Sequence, residues 1–429
     1  MLCELDERRA YANIYVPAAL GRSALDDRDR ALVTELVYGV VRLKLSLDWL
    51  IGKFATRPPA KMEPRVLNLL RLGLYQILYL DRIPDHAAVD TSVELAKAEL
   101  APGSDKFVNA ILRRAVRERD NLPWPDRGRE LIDFLAIYHS HPRWLAKLWL
   151  DELGEETTES LLAADNARPK VTLRTNTLKI ITADLIEALN REEIDALAGG
   201  ICPEAVVMAG HNVPDKILKD GLAYVQNEAS MAVGHVIHPQ PGQTVIDLCA
   251  GPGGKASHLA QLMNNSGRIM AVDIHDGRLK LVKDNCRRLG VEIVELMEGD
   301  ASKPLALPEV DHVLVDAPCS GLGVLARRPD SRWQKRLDDV GRLAALQSKI
   351  LDCAADYVKP GGRLTYTVCT ITKAETDGVV SKFVTGHRDF RQAPVEVFKL
   401  SFKEAPNARF WPHIDGTDGM FIAQFKRIS

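Results

Sequence analysis

The sequence predicts an α/β protein in which an all-α part and a small α+β module precede a doubly wound parallel sheet. Residues 1–140 show helical periodicity throughout, which indicates an all-α domain. Residues 141–235 mix two helical patterns with short strands, and we interpret them as a connecting module. In residues 236–429, short β-rich runs alternate with helical patterns, which is typical of a parallel sheet covered by helices on both faces. Such sheets bind ligands beyond the carboxyl ends of their strands.

Length and composition favour a folded protein of several domains. The chain has 429 residues, of which 46% are apolar and 27% charged, and this length exceeds what one hydrophobic core usually serves. The longest apolar segment, residues 66–80, is too short to span a bilayer, and Asn68, Arg71 and Gln76 interrupt it. We therefore expect a buried core helix there and no membrane partner. The first residues lack the basic and then apolar order of a secretory signal, so we expect a cytoplasmic protein.

Charge and cysteine content narrow the function classes. A net charge of −2 counts against a protein whose whole surface is basic and binds nucleic acid non-specifically. Binding of nucleic acid would therefore have to depend on local clusters of basic residues. The 7 cysteines are odd in number and form no C-x-x-C pair, which favours reduced thiols over disulfides or a zinc site. We expect no metal, and a cysteine with a special role would be a reactive thiol.

A glycine-rich segment, "DLCAGPGGK" at residues 247–255, follows the first strand of the C-terminal sheet and opens a helix. Gly251, Gly253 and Gly254 remove side chains where the backbone must approach a ligand, and the helix N-terminus offers N–H donors to a carboxylate or phosphate. With Ala256 the spacing also matches G-x-G-x-x-A, so a dinucleotide site must be considered.

Acidic residues stand at the ends of the strands that follow. Asp273 lies 26 residues after Asp247, where a carboxylate can accept both hydroxyls of a ribose. Asp300 ends the third strand, where it can reach an adenine edge, and Asp316 ends the fourth. A single Asp at such a place is more often a helix cap or a turn residue. Several of them around one glycine loop favour a nucleoside ligand, either a dinucleotide or an S-adenosyl compound.

Two cysteines follow the fourth and fifth strands of the same sheet. Cys319 lies in "DAPCS" and Cys369 in "TVCT", and these strands are neighbours in the usual order of such sheets. Both thiols should therefore face one crevice, although a lone cysteine is more often an inert buried residue. Addition of a thiolate to C6 of cytosine makes C5 able to attack an electrophilic methyl group. Such chemistry needs a thiol, a methyl donor and a pyrimidine held out of its stack.

These segments together resemble the motifs of the RNA 5-methylcytosine methyltransferases that use S-adenosylmethionine. The likeness rests on "DLCAGPGGK", Asp273, Asp300, "DAPCSGLGVLARRPDSRW" and "TVCT". The segments "RALVTELVYGVVR", "GLYQILYLDRIPDHAAVDTSVELAK" and "FVNAILRR" resemble the NusB-like RNA-binding domain of the Sun/Fmu (RsmB) branch, which methylates a cytosine of 16S ribosomal RNA. The resemblance implies a Rossmann-like class I methyltransferase domain behind a NusB-like domain. Gly251 and Thr370 depart from the family pattern, which usually has Ala and Ser there.

The resemblance also implies a role for each candidate residue. S-adenosyl-L-methionine would be the cofactor, with its ribose on Asp273, its adenine region near Asp300, and Asp316 between cofactor and base. Cys369 would be the nucleophile, and Cys319 would assist product release. The methionine part of the cofactor would be held by Cys249, Ala250, Gly251, Pro252, Gly253, Gly254 and Lys255. The substrate would be 16S ribosomal RNA, naked or in a partly assembled small subunit, and the protein would act as a monomer.

A basic segment with an aromatic residue, "RRPDSRWQKR" at residues 327–336, follows the Cys319 motif in the sequence. Basic residues neutralise phosphates, and an aromatic or guanidinium plane can stack a splayed base, as recognition of single-stranded RNA requires. A cluster of this kind is also common at a solvated helix start. Its nearness in sequence to the cysteine motif favours RNA contact, which we predict for Arg327, Arg328, Arg332 and Trp333.

Three other functions are compatible with parts of the sequence. The same chemistry could act on another RNA, such as transfer RNA. An NAD-type oxidoreductase would explain the glycine spacing, but it would leave the two cysteines and the basic segment without a role. A non-catalytic RNA-binding factor of the antitermination kind would explain the all-α part alone, and it would need neither the glycine loop nor two thiols at strand ends.

Overall fold

The computed structural model describes residues 1–8, 10–209, 213–395 and 406–428, and the chain forms two structural units. The first unit contains Met1–Ala167 together with Leu325–Arg336, and the second contains Arg168–Val324 together with Leu337–Ser429. The basic segment at residues 327–336 therefore belongs to the first unit, although the sequence on both sides of it belongs to the second. Within the described ranges, every helix is too short or too polar to cross a lipid bilayer.

The first unit is all-α, as the periodicity of its sequence predicts. Its helices pack apolar faces together, for example through Val108, Ile111 and Leu112 of α7, while the arginines of that helix lie outside the buried face. Short 3₁₀ turns cover Pro59–Lys61 and Arg119–Asn121. The helices are α1 (Leu2–Arg8), α2 (Ala12–Leu20), α3 (Asp27–Arg42), α4 (Lys44–Phe54), α5 (Pro64–Tyr79), α6 (Asp85–Glu99), α7 (Ser104–Arg117), α8 (Leu131–Tyr138), α9 (Arg143–Leu153), α10 (Glu155–Asn166) and, in the basic segment, α16 (Ser331–Gln334).

Helix α5 contains most of the long apolar segment, and the prediction of a core helix there is confirmed. Leu70 and Leu74 are fully buried in the core of the first unit. Arg71 is also buried, but its guanidinium donates to the two carboxylate oxygens of Asp48 at 2.6 and 2.7 Å and to Asp6 at 3.1 Å. A buried charge is tolerated when it is paired and hydrogen-bonded in this way.

The second unit begins with a small antiparallel sheet of strand order β2-β3-β1-β4. Its fully buried Leu173, Leu185 and Val206 form a separate small core. The elements of this module are β1 (Val171–Thr175), α11 (Thr182–Arg191), β2 (Ala196–Ala198), β3 (Ala205–Met208), α12 (Asp215–Lys219) and β4 (Ala223–Val225).

The larger sheet of the second unit has the order β10-β12-β9-β8-β5-β6-β7, and β11 pairs with β12. The strands from β9 to β7 in that order run parallel, whereas β10, β11 and β12 pair antiparallel. The elements are α13 (Glu228–Ile237), β5 (Thr244–Leu248), α14 (Gly254–Leu262), β6 (Arg268–Asp273), α15 (Asp276–Leu289), β7 (Val294–Glu298), β8 (Val310–Asp316), α17 (Leu337–Ala355), β9 (Val358–Val368), α18 (Asp377–Gly386), β10 (Phe390–Ala393), β11 (Asn407–Phe410), α19 (Pro412–Asp415) and β12 (Met420–Arg427).

The predicted doubly wound parallel sheet is confirmed in this unit. The central strands are buried on both faces, which explains why they read as nearly continuous apolar runs in the sequence. Strands β8 and β9 are parallel neighbours, with Asp316 opposite Thr367. Strand β5 lies between β8 and β6, so the segments that follow β5, β6, β8 and β9 all leave at the same edge of the sheet.

Candidate active site

The glycine loop joins β5 to α14 at this edge. Gly253 has φ of +98°, a conformation that favours glycine, and its N–H donates to the carbonyl of Ala250 at 2.7 Å. A Cβ atom added to Gly251 would lie 2.5 Å from Cβ of Arg278 and 2.8 Å from Oδ2 of Asp273. The backbone thus passes too close to its neighbours for a side chain at Gly251, so the Ala that the family usually has there would require a local shift.

Asp273, at the end of β6, ties the glycine loop to its own strand. Its side chain is buried, and Oδ2 accepts the backbone N–H of Gly251 at 3.0 Å while Oδ1 accepts that of His275 at 3.0 Å. The guanidinium of Arg278 lies 4.0 Å from Oδ2. The carboxylate is therefore held rigidly beside the loop that the sequence assigns to cofactor binding.

Asp247 lies in β5 just before the glycine loop, and its carboxyl group has no hydrogen-bond partner among the described residues. It is fully buried, and within the described part of the chain neither carboxyl oxygen has a partner. Burial, and then the charge of Asp316, raises the pKa of Asp247 well above its ordinary value. An unsatisfied buried carboxyl is unusual in a folded protein, and its oxygens are available to accept hydrogen bonds.

Lys255 and Asp316 form an ion pair between the glycine loop and the end of β8, with 2.6 Å between Nζ and Oδ2. Burial lowers the pKa of Lys255, but the pairing with Asp316 and the charge of Cys369 outweigh it, so the pKa lies above its ordinary range. The ammonium group therefore stays charged. Its positive charge acts on the sulfur of Cys369.

The two predicted cysteines meet. The Sγ atoms of Cys319 and Cys369 lie 3.2 Å apart, and both residues are partly accessible. The N–H of Gly323 donates to the carbonyl of Cys369 at 3.1 Å, which joins the segments that follow β8 and β9. The hydrogen bond with Cys369, followed by burial, raises the pKa of Cys319 well above its ordinary value. Cys319 is therefore the sulfur that more readily keeps its proton, although either thiol can donate in the contact between them.

Cys249 and Asp300 have more ordinary surroundings. Burial raises the pKa of Cys249 to about 12, so this thiol is not a nucleophile. Asp300 accepts the hydroxyl of Ser302 at 2.7 Å and pairs with Lys303 at 3.0 Å. The hydrogen bonds from Ser302 and then Lys303 lower the pKa of Asp300 to about 2. These contacts show that Asp300 stabilises the turn after β7. The contact of Asp300 with an adenine stays a prediction.

The structure places Arg332 of the basic segment in the interior, which corrects the RNA contact predicted for it, whereas Trp333 is half-buried and its RNA contact stays a prediction. Arg332 is fully buried in the first unit and donates to the carbonyls of Ser140 at 3.1 Å and Asp165 at 3.0 Å. The indole N–H of Trp333 donates to the carbonyl of Val41 at 2.7 Å. Both side chains therefore hold the first unit together.

Arg328 is exposed and Arg327 is half-buried, so these two members of the basic segment stay candidates for RNA contact.

Sequence reasoning missed two residues that support the site. Arg174 of β1 is fully buried and donates to the carbonyl of Gly254 at 2.6 Å and to the hydroxyl of Ser257 at 2.9 Å, so the small module supports the start of α14. The sequence feature that could have identified Arg174 is a cationic residue within the buried strand "VTLRT". Glu375 is buried beside both cysteines, and only the threonines around it gave a weak signal of a polar network.

Three family descriptions match successive parts of the chain. "NusB family" matches residues 1–117, a ferredoxin-like domain of RsmF/B-like methyltransferases matches residues 141–213, and "16S rRNA methyltransferase RsmB/F" matches residues 234–426. These descriptions agree in order with the all-α part, the small antiparallel module and the parallel sheet.

Individual proteins match over similar lengths. The solved structure of PH0851 superposes with a TM-score of 0.82 at 28% identity, covering 99% of this chain and 97% of that one. NSun6 from Pyrococcus horikoshii, solved with SFG, has the same fold over 67% of this chain and 98% of its own, with a TM-score of 0.62 at 23% identity. A protein of Bacillus subtilis strain 168 named "Probable ribosomal RNA small subunit methyltransferase B" is 38% identical over 99% of this chain and 97% of its own. With this identity over nearly its whole length, the chain belongs to the RsmB/F family of 16S ribosomal RNA methyltransferases.

Proposed function

We propose that this family member methylates C5 of a cytosine in 16S ribosomal RNA, with S-adenosyl-L-methionine as cofactor and through a covalent bond between Cys369 and C6 of the base. The observation that carries the proposal is the pair of thiols 3.2 Å apart at the ends of neighbouring parallel strands, beside the ion pair of Lys255 and Asp316. Cytosine C5 is a weak nucleophile, and addition of a thiolate at C6 is what activates it.

The residues at the sheet edge fit S-adenosyl-L-methionine. Asp247, Asp273 and Asp316 lie around the glycine loop, where Lys255 pairs with Asp316 and neither carboxyl oxygen of Asp247 has a partner among the described residues. The ammonium group and the ribose hydroxyls of S-adenosyl-L-methionine are donors that suit these carboxyl oxygens. When bound, S-adenosyl-L-methionine supplies the electrophilic methyl group. NSun6, which shares the fold, was solved with SFG, an analogue of this cofactor.

The other steps of the reaction are assigned to residues of the chain. Cys369 is the sulfur without the shared proton, so it adds to C6 of the base, and Lys255 supplies a positive charge near it. The carboxylate of Asp316 can accept a hydrogen bond from the base. Cys319 holds a proton before the reaction, and we assign it to the later step: its proton passes to the sulfur of Cys369 as the C6–S bond breaks, and the Cys319 thiolate so formed takes the proton from C5 as the C5=C6 double bond forms again. The half-buried Arg327 and exposed Arg328, together with the NusB-like unit, would contact the RNA.

The experiment that tests the reaction and the substrate together is bisulfite sequencing of ribosomal and transfer RNA from cells with and without the gene. We expect one 16S position to lose its resistance to bisulfite without the gene and to regain it with the wild-type chain but not with Cys369→Ala. Loss of resistance in transfer RNA, with 16S RNA unchanged, would favour the alternative substrate. Unchanged patterns in both would contradict the reaction.

A further inference from the structure

Glu375 is fully buried, and its carboxylate accepts hydrogen bonds from the residues that directly follow both thiols. Ser320, which follows Cys319 in the sequence, donates its backbone N–H to Oε1 at 2.8 Å and its hydroxyl to Oε2 at 2.5 Å. Thr370, which follows Cys369 in the sequence, donates its hydroxyl to Oε2 at 3.3 Å. One side chain therefore joins the segments that follow β8 and β9.

The position of Glu375 is itself fixed by a buried polar network. The hydroxyl of Thr372 donates to Oε2 at 3.0 Å, and the amide of Gln347 on α17 donates to Oε1 at 3.0 Å. The hydroxyl of Tyr366 lies 2.7 Å from the carbonyl oxygen of Glu375. All of these groups are fully buried. A network of this kind is rigid, because every polar group in it would be costly to leave without a partner.

The charge of Glu375 also acts on the thiols. The hydrogen bond with Cys369 and burial are the main causes that raise the pKa of Cys319, and the charges of Cys369 and Glu375 add to them. Lys255, paired with Asp316, is a positive group that acts on Cys369. Glu375 bonds more closely to the segment of Cys319, through two hydrogen bonds from Ser320 at 2.8 and 2.5 Å, than to that of Cys369, through Thr370 at 3.3 Å. This asymmetry, with the positive charge of Lys255 acting on Cys369, distinguishes two thiols that are otherwise chemically alike.

We propose that Glu375 is a positioning residue that holds the two cysteine segments as one rigid unit and keeps the shared proton on Cys319, so that Cys369 is the thiolate that attacks. The inference rests on the proposed function only for its consequence in catalysis, because the distribution of the proton is a property of the protein without RNA. Two thiols 3.2 Å apart share their titration as a pair, so a third group must decide which sulfur carries the charge.

The test compares Glu375→Gln and Glu375→Asp with the wild-type chain. Iodoacetamide alkylation at several pH values, read for Cys319 and Cys369 by peptide mass spectrometry, reports the proton on each sulfur without RNA. In Glu375→Gln the charge is lost while the shape is kept, so we expect Cys319 to become alkylated at a pH lower by about one unit or more. With RNA, kcat should fall about tenfold or more, while the affinity for S-adenosyl-L-methionine stays within about twofold. Glu375→Asp keeps the charge and should restore the wild-type alkylation profile.

Glu204→Gln is the matched control. Glu204 is another buried carboxylate of the same unit, and it contacts His235 at 2.9 Å and His258 at 2.7 Å. Its loss should leave the alkylation profile of both cysteines unchanged. An unchanged Cys319 profile in Glu375→Gln would overturn the proposal, even if kcat fell. Should Glu375→Gln fail to fold, an altered profile in Glu375→Asp would overturn it as well. If the wild-type chain methylates no cytosine, the proposed function fails, but the alkylation result still decides the role of Glu375.

Discussion

The sulfur atoms of Cys319 and Cys369 lie 3.2 Å apart. Cys319 is in the segment that follows β8, and Cys369 is in the segment that follows β9. At this distance both sulfurs can reach the same base, so the position of the atoms does not tell which of them attacks. The raised pKa of Cys319, caused first by its hydrogen bond with Cys369, favours the proton on Cys319. The difference between the two thiols is therefore electrostatic, and it can be tested by removing each one.

The first prediction concerns the covalent adduct. Because Cys319→Ala keeps the attacking sulfur but loses the group assigned to product release, we expect it to accumulate a protein–RNA adduct with cofactor present. Cys369→Ala should form no adduct, and the double variant should form none. Denaturing gel electrophoresis with labelled RNA measures this. An adduct with Cys369→Ala that is absent with Cys319→Ala would reverse the two roles.

The second prediction concerns the ion pair of Lys255 and Asp316. Replacement by Lys255→Met removes the positive charge near Cys369 and leaves Asp316 without its partner, so kcat should fall on the order of 10²- to 10³-fold, as for other preorganised charged groups. Lys280→Met is the matched control, because Lys280 pairs with Asp276 at the same 2.6 Å but on the surface. Equal rates for the two variants in single-turnover methylation would remove Lys255 from the mechanism.

The third prediction concerns cofactor affinity. Asp273→Ala should weaken binding of S-adenosyl-L-methionine by about 2 to 4 kcal/mol, or roughly thirty- to several-hundred-fold, because two charge-assisted hydrogen bonds to the ribose would be lost. The variant also frees the N–H of Gly251, which adds to the effect by loosening the loop. Calorimetry measures the affinity, with the exposed Asp276→Ala as control. An affinity equal to that of the wild-type chain would exclude Asp273 from the site.

The parallel sheet and its ligand edge could be predicted because their causes are local in the sequence. Strands buried on both faces give apolar runs, as in "TVIDLCA", and a loop that passes close to its neighbours at Gly251 favours a small residue. The meeting of Cys319 and Cys369 followed from the usual order of strands in such sheets. These features needed no knowledge of distant contacts.

The role of Arg332 could not be predicted, because its acceptors are far away in the sequence. The carbonyls of Ser140 and Asp165 lie 192 and 167 residues from it, and only the fold brings them together. The same holds for Glu375, whose donors Ser320 and Gln347 lie 55 and 28 residues away. A cluster of basic residues looks the same in the sequence whether its members are solvated or buried.

The fourth prediction separates the members of the basic segment. Arg327→Gln with Arg328→Gln should weaken RNA binding and reduce the slope of log affinity against log salt by about 1.4, since two phosphate contacts would release fewer counterions. Arg332→Met should instead destabilise the first unit, because it leaves buried carbonyls without donors. Binding titrations at several salt concentrations and thermal unfolding distinguish the two effects. A salt slope unchanged in the double variant would mean that these arginines are only solvated.

The last prediction concerns the pH dependence of stability in the first unit. Asp165 is fully buried, and burial raises its pKa to about 7, although the charge of Arg332 opposes this. His141, 3.4 Å away, has a pKa well below its ordinary value through burial and then Arg332, so it stays neutral near pH 7.

Because the pKa of Asp165 is higher in the folded state than in the unfolded state, its protonated form stabilises the fold, and this stabilisation is lost as the pH rises toward 7. Between pH 5.5 and pH 8 the wild-type chain should lose about 2 kcal/mol that Asp165→Asn keeps. Tryptophan fluorescence reports this unit, which contains 5 of the 6 tryptophans. Asp151→Asn, which removes an exposed partner of Lys147, should follow the wild-type curve. If Asp165→Asn also follows that curve, Asp165 is ionised in the fold throughout this range.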